Sequence, residues 1–288
     1  MKSYVIGAGG FLGKHLAIWL SQSGDVCKAP PFNLLNSSEW QETVLKELRE
    51  YSPDVVLIPG AAQDTGDDFS ALNSLIFSNC VLPCLIAQQL LIIAPSSKLV
   101  VFGSSWQYAD ADDYRPFNLY AASKQAGQDL LEHYALKGLK ILQLIIFDTY
   151  GEDDSRRKIT RILLDACING DEIAVTAGDQ EIDLVHIDDV CSGVEAALLE
   201  LESWNSAHQG VLIRGLGSGL PIRIKDLIEL IQKIIGKPLL ARVGARPYRD
   251  REVMTVFRNY IRPRGWNPKH GEYHGKKNTG DQADGFSR

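Results

Sequence analysis

Ser3-Tyr4-Val5-Ile6-Gly7-Ala8-Gly9-Gly10-Phe11-Leu12-Gly13, near the start of the chain, decides the fold. Ser3 to Ile6 is a short apolar run of strand character. From Lys14 to Gln22 the apolar positions Leu16, Trp19 and Leu20 keep a helical period. Between the two, glycines fall at Gly7, Gly10 and Gly13, and Gly9 supplies a second, G-x-G-x-x-G register. Strand, glycine turn and helix in that order let the backbone of Gly9, Gly10, Phe11, Leu12 and Gly13 approach a pyrophosphate at the positive end of the helix. An ordinary strand–helix turn also accepts glycines; the position directly after a strand is what gives this run its weight.

Working outward, Asp25–Ala29, Asp54–Pro59, Lys98–Gly103 and Leu139–Phe147 read as further strands. A helix capped by Ser37 or Ser38 runs to Tyr51 with Trp40, Val44, Leu45 and Leu48 as its apolar stripe. Phe69 to Ala94 reads as one long buried helix, bent at Pro83. Alternating strands and helices predict an α/β fold, a doubly wound parallel sheet covered on both faces. Ligands in such sheets lie beyond the carboxyl ends of the strands. Gly7–Gly13, Gly60–Ala62, Ser104–Tyr108 and Asp148–Gly151 all fall there. The small residues Ala61 and Ala62 would let a cofactor approach, unless they form a plain turn. The second strand ends in Lys28, Ala29 and Pro30, without the acid that favours the free ribose hydroxyl of NAD. Lys28 would meet a 2′-phosphate, so NADP is expected, with NAD still open; a solvated lysine is the plain alternative.

Beyond Gly151 the pattern loosens. Ser155–Asn169 reads as a helix, Glu172–Ala177 and Ile182–Ile187 as short strands, and Asp188 or Asp189 as the cap of a helix to Glu202. Val211–Arg214 reads as a strand and Pro221–Gly236 as an amphipathic helix. These predict a dinucleotide-binding domain over 1–152 and a smaller substrate-binding lobe over 153–268, with the chain crossing between them. From Lys269 the sequence is polar, Gly-rich and aperiodic, and a mobile tail over 269–288 is expected.

The 288 residues carry a net charge of −6, which argues against general nucleic-acid binding. Five cysteines, Cys27, Cys80, Cys84, Cys167 and Cys191, stand mostly in apolar surroundings without metal-ligand spacing, so free thiols and no metal are expected. The N-terminus shows no signal-peptide pattern. No apolar run looks long enough to span a bilayer, since Leu82–Pro95 holds Pro83, Gln88 and Gln89. A soluble, cytoplasmic protein is expected.

Tyr120-Ala121-Ala122-Ser123-Lys124 carries the candidate chemistry. Tyr and Lys four apart share a helix face, where the ammonium is expected to lower the phenol pKa and make Tyr120 an acid/base. The same spacing occurs by chance on solvated helix faces, so the pair needs the rest of the chain beside it.

Gly7–Gly13, Ser104, Tyr120 and Lys124 together resemble the extended short-chain dehydrogenase/reductase family, over roughly residues 1–268. Asn79 lies in the long helix as the family's Asn-Val pair does. Phe147-Asp148-Thr149-Tyr150-Gly151, Asp183 to Val190 and Leu216-Gly217-Ser218-Gly219 look like further family segments. The resemblance implies a Rossmann-type sheet with a smaller C-terminal substrate-binding lobe. It implies Tyr120 as proton donor or acceptor and Lys124 on the nicotinamide ribose. Ser104 would hydrogen-bond the substrate oxygen, with Ser105 as the fallback, and Asn79 would belong to the cofactor side.

The nearest resemblance is to nucleotide-sugar reductases and epimerases, in particular those that make CDP- or dTDP-linked deoxysugars by 4-ketoreduction. The 4,6-dehydratases of the family carry an Asp-Glu pair where this chain has Ser105 and Trp106, which argues against dehydration. Arg157, Arg246 and Arg249 are candidates for a substrate pyrophosphate, with solvated surface charge as the alternative. Asp148 replaces the family's Asn near the expected substrate. The leading expectation is an NADP(H)-dependent 4-ketoreductase. A 4-epimerase with tightly held NAD and a non-catalytic cofactor-binding protein are the alternatives. A homodimer through the helices near 72–91 and 120–136 is also implied, although the same apolar runs fit a core helix.

Overall fold

The computed structural model describes residues 1–31, 37–60, 62 and 66–270. The first half runs β1 (Lys2–Val5), α1 (Phe11–Ser21), β2 (Asp25–Lys28), α2 (Ser37–Tyr51), β3 (Val55–Ile58), α3 (Phe69–Ile76), α4 (Leu82–Ile93), β4 (Lys98–Ser104), α5 (Leu119–Leu136), β5 (Lys140–Ile146) and β6 (Asp148–Tyr150). Then follow α6 (Ile159–Asn169), β7 (Ile173–Ala174), β8 (Glu181–Ile182), β9 (Leu184–His186), α7 (Ile187–Glu202), α8 (Ser206–Gln209), β10 (Leu212–Leu216), β11 (Ile222–Arg223), α9 (Ile224–Ile235) and β12 (Ala241–Arg242).

A six-stranded sheet ordered β10-β5-β4-β3-β1-β2 is parallel throughout. Its strands are apolar on both faces because both are covered. Val5, Val55, Leu57, Val100, Phe102, Leu142 and Leu144 pack with Leu16 and Leu20 of α1 and Val190 and Val194 of α7. The alternate residues Tyr4, Ile6, Val56, Ile58, Leu99, Val101 and Ile141 pack with Trp40 and Leu48 of α2, Ile86 and Leu90 of α4 and Leu131 of α5. The Rossmann-type parallel sheet expected from the sequence is present. The strand near Val211–Arg214, grouped by the sequence reading with the smaller lobe, is instead its edge strand β10. Helix α7, from the same stretch, covers the sheet beside α1.

The smaller lobe is built from α6, α9 and the two-stranded pairs β11–β8 and β12–β7 around Leu163, Cys167, Leu227 and Ile231. Three expected elements are shorter. The helix read from Ser155 begins at Ile159, because Asp154 accepts from the backbone and side chain of Arg156 and holds 154–156 out of it. The strand read over Glu172–Ala177 keeps only Ile173 and Ala174. The strand Ile182–Ile187 breaks at Asp183, whose buried carboxylate accepts from the N–H groups of Ser218 and Gly219 and from the Ser218 hydroxyl.

The helix read over Phe69–Ala94 is continuous but contains a wider, π-type turn at Phe77–Val81, between α3 and α4. Pro83 has no N–H for the carbonyl of Asn79, and the ladder opens one turn before it. The Phe69–Ile93 run is long and apolar enough to cross a membrane, contrary to the sequence expectation. Here Leu75, Ile86 and Leu90 are wholly buried inside the fold. His186, rather than Asp188 or Asp189, caps α7, its Nδ1 accepting from the Asp188 N–H. Asp189 instead accepts from the backbone N–H groups of Lys269 and His270 at 2.8 and 2.9 Å, which fixes the first two residues of the expected tail. Residues 271–288 lie outside the described residues. All five cysteines are free thiols.

Candidate active site

Three glycines shape the loop at the carboxyl edge of β1. Gly7 has φ +93, open to glycine, and lies against Gly60, the residue after β3's turn; a Cβ on Gly7 would overlap the Gly60 Cα. A Cβ on Gly13 would overlap the Gly7 carbonyl, so α1 packs directly on the turn. Gly9 faces open space, and a Cβ on Gly10 would meet the Gly7 carbonyl oxygen at an ordinary contact of 3.6 Å. Gly10 begins α1 with no side-chain cap and no acid in the first turn, leaving first-turn N–H groups of Phe11, Leu12 and Gly13 without helical acceptors. This cradle fits the pyrophosphate of a dinucleotide. Lys28 is exposed at the end of β2, opposite Val5 of β1, with no ion pair among the described residues. The N–H of Ala62 donates to Ser78 Oγ; Ala61 lies outside the described residues.

Ser104 ends β4 and Tyr120 and Lys124 stand on the first turns of α5. Asn118 caps α5 by accepting from the Ala121 N–H at 3.0 Å. The two segments are tied together: the N–H of Phe117 donates to the Trp106 carbonyl at 2.9 Å, and the Trp106 ring meets Phe117 and Tyr120 edge-on with centroids 5.1 and 6.5 Å apart. Ser104 Oγ accepts from the Trp106 N–H at 3.3 Å. Ser105 is part of the short 3₁₀ turn that follows.

Asn79 sits in the π-type turn and its side-chain amide donates to Ser123 Oγ at 2.8 Å, inside the Tyr120–Lys124 turn; Ser123 donates on to the Tyr120 carbonyl. Gly127 makes this approach feasible, because a Cβ there would overlap the Asn79 carbonyl oxygen. A cavity of about 20 Å³ is lined by Asn79, Lys124, Gln128 and Gln143 among others, and the Asn79 Oδ1 is buried without a partner.

Lys124 Nζ stands 5.7 Å from the centre of the Tyr120 ring. Burial pushes the Tyr120 phenol up to about 12 and the Lys124 ammonium down to about 8, the nearby Cys80 partly opposing the latter. The expectation that Lys124 lowers the phenol is therefore not met in the protein alone: removing the phenolate from water costs more than the ammonium returns. Tyr120 is held as an acid.

The sequence reading and the structure agree less well on the substrate side. Asp148 pairs with Lys158 at 3.4 Å. Arg157, Arg246 and Arg249 are exposed and make no ion pair among the described residues, which leaves them open to an anion. Their neighbour Arg156 is engaged: it grips Asp154, donates to the Thr149 carbonyl and Oγ1, and stacks on Phe11 of the glycine loop. Asp183 and His186 serve the fold, the one holding the Ser218–Gly219 turn and the other capping α7. Gln143, a polar residue inside the apolar run Lys140–Ile146, is the signal in the sequence for an amide network that no motif marks.

The parallel sheet and its glycine loop are those of a Rossmann-type, dinucleotide-dependent oxidoreductase. The sequence pattern of the NAD dependent epimerase/dehydratase family matches residues 3–209, and the chain belongs to that family, the extended short-chain dehydrogenases/reductases. CDP-abequose synthase of Salmonella typhimurium is 27% identical over 291 residues, covering 93% of this chain and 94% of that one. The same enzyme of Yersinia pseudotuberculosis is 26% identical, covering 76% and 75%. Among solved structures, MoeE5 in complex with UDP-glucuronic acid and NAD superposes with a TM-score of 0.77 at 20% identity, covering 96% of each chain. UDP-glucose 4-epimerase of Thermotoga maritima gives 0.78 at 19% identity, covering 93% and 94%.

Proposed function

We propose that the chain is an NADP(H)-dependent reductase acting on the 4-keto group of a nucleotide-linked deoxysugar. The observation that carries this reading is the placing of Ser104 at the end of β4 and of Tyr120 and Lys124 on the first turns of α5, with Lys124 Nζ 5.7 Å from the Tyr120 ring; burial pushes the phenol up to about 12, in keeping with a proton donor. Lys28, exposed at the end of β2 and without an ion pair among the described residues, supports a 2′-phosphate and hence NADP. Similarity to the CDP-abequose synthases supports a CDP-linked sugar.

The nicotinamide supplies a hydride when bound. Tyr120 donates the proton to the carbonyl oxygen that becomes the hydroxyl. Ser104 donates a hydrogen bond to that same oxygen, and Lys124 carries the positive charge that binds the cofactor's ribose and steadies the phenol as it loses its proton. Arg157, Arg246 and Arg249 offer unpaired guanidinium groups to the substrate pyrophosphate, and Trp106 with Phe117 walls the phenol from water.

A 4-epimerase with retained NAD is the second reading, favoured by the NAD in the MoeE5 structure. Identifying the dinucleotide released on denaturation, followed by titration with NADH and NADPH and assay on CDP- and dTDP-linked 4-keto-deoxysugars, separates the two. Empty protein that prefers NADPH and reduces the keto sugar is expected. Retained NAD with interconversion of 4-epimers would overturn the reductase. A homodimer through α4 and α5 is supported by exposed Val81, Ile92, Leu130 and Leu136, and light scattering tests it.

A further inference from the structure

The turn that carries Ser104 rests on a chain of side-chain amides, buried at Gln107 and Gln143 and half-buried at Gln125 and Gln128. Gln107 is fully buried. Its Oε1 accepts from the backbone N–H of Ser104 at 2.9 Å. A backbone N–H can only donate, so this bond fixes which end of the Gln107 amide is oxygen. The other end, Nε2, donates to Gln125 Oε1 at 2.9 Å and reaches Gln128 Oε1 at 3.4 Å. Gln128 Oε1 also accepts from Gln143 Nε2 at 2.7 Å, and Gln125 Nε2 donates to Asp129 at 2.8 Å. Gly103 makes room for this: a Cβ there would lie 2.5 Å from Gln107 Oε1 and 2.8 Å from Gln143 Nε2. A polar chain through the centre of an apolar sheet is costly unless its members are satisfied, and here each bond has a directed partner.

The consequence falls on Ser104. Its Oγ accepts from the Trp106 N–H, and among the described residues its hydroxyl proton has no acceptor. With the backbone held by Gln107 and one of the two Oγ lone pairs taken by Trp106, the hydroxyl proton is left to donate.

We infer that Gln107 is a positioning residue that, through the Gln143–Gln128–Gln125 amide chain, locks the backbone of Ser104 so that its hydroxyl donates toward the substrate oxygen. The catalytic part of this inference rests on the role proposed for Ser104; the locking itself does not.

Two readouts test it on the full chain. The first is amide hydrogen exchange at Ser104–Trp106, which needs no substrate. Gln107→Leu, close in shape but without the amide, should speed exchange there by tenfold or more while the rest of β4 keeps its protection; unchanged exchange overturns the inference. The second is turnover of a CDP-linked 4-keto-deoxysugar with NADPH. Gln107→Leu should lower kcat about as much as Ser104→Ala, leave the KM for NADPH unchanged, and add nothing in the Ser104→Ala background. Additive losses, or no loss, overturn the inference. Gln107→Glu keeps the chain testable if the leucine variant fails to fold. Protonated, it retains a donor and an acceptor; ionised, it can no longer donate to Gln125 and Gln128. Burial raises its pKa, so its kcat should fall with rising pH where the parent protein's does not; parallel profiles overturn the inference. Failure of the parent protein to reduce any keto sugar counts against the proposed function, while the exchange experiment still decides the locking.

Discussion

The guanidinium of Arg156 lies over the ring of Phe11, 4.1 Å from its centroid, while holding both carboxylate oxygens of Asp154 at 2.7 Å. Phe11 belongs to the glycine loop and Arg156 to the stretch entering the smaller lobe, so one side chain joins cofactor cradle and substrate side. A second tie, Lys14 to Asp153 at 2.8 Å, is solvent-exposed and worth little. Arg156→Ala should cost about 2 kcal/mol of stability, since Asp154 is left buried without its partner. Urea unfolding measures this. Dinucleotide titration should show a weaker complex, and Arg156→Lys should restore neither, because it lacks the planar fork.

Tyr120→Phe should lower turnover by about a hundredfold or more while dinucleotide binding persists. Stopped-flow turnover beside a binding titration checks both. Loss of binding in step with turnover would move the role of Tyr120 from proton transfer to assembly of the site.

Lys124 carries the clearest pH signature. Its pKa falls from 10.5 to about 8 on folding, so the folded state binds fewer protons than the unfolded state between those values. Below about 8 the fold bears the full burden of the buried ammonium, and stability recovers as pH rises from 8 toward 10.5. Lys124→Met should therefore stabilise the ligand-free protein near neutrality, on the order of 1–3 kcal/mol, and flatten that rise. Thermal unfolding from pH 6 to 10 measures it. Dinucleotide affinity should run the opposite way, weakening as pH passes about 8 and the charge is lost.

Gly127→Ala places a methyl group into the Asn79 carbonyl. The π-type turn and α5 must separate, costing about 1–3 kcal/mol. The Asn79–Ser123 bond should break with it. Reduced turnover together with reduced stability is expected, whereas the same change at Gly138, which faces open space but has φ +101, should affect stability alone.

The sheet was legible because its signals are local. Val55–Ile58 is apolar on both faces, and the glycines at 7, 10 and 13 stand where strand meets helix. Tyr120 and Lys124 were legible for the same reason, one helical turn apart. What local pattern could not supply was pairing at a distance. Nothing within Leu212–Leu216 says that it lies beside β5 rather than in the smaller lobe. Nothing around Arg156 says that its ring partner is Phe11. The π-type turn needs both Pro83 and the distant Gly127 to be understood. The direction of the Tyr120 shift also depended on burial, which spacing alone does not contain.

The place of β10 bears on how the chain is made. β5 ends at Ile146, and the neighbour that closes its outer edge begins only at Leu212, after α6, β7 and β8 of the smaller lobe have been synthesised. While the ribosome is still adding that lobe, β5 presents a row of unpaired backbone groups, the kind of edge on which nascent chains adhere to one another. A shortened chain ending at residue 152 would keep the nucleotide cradle yet never cover that edge, and would be expected to aggregate. Cofactor half and substrate half are thus one cooperative unit during synthesis, with the last sheet strand delivered from the far side of the site it helps to frame.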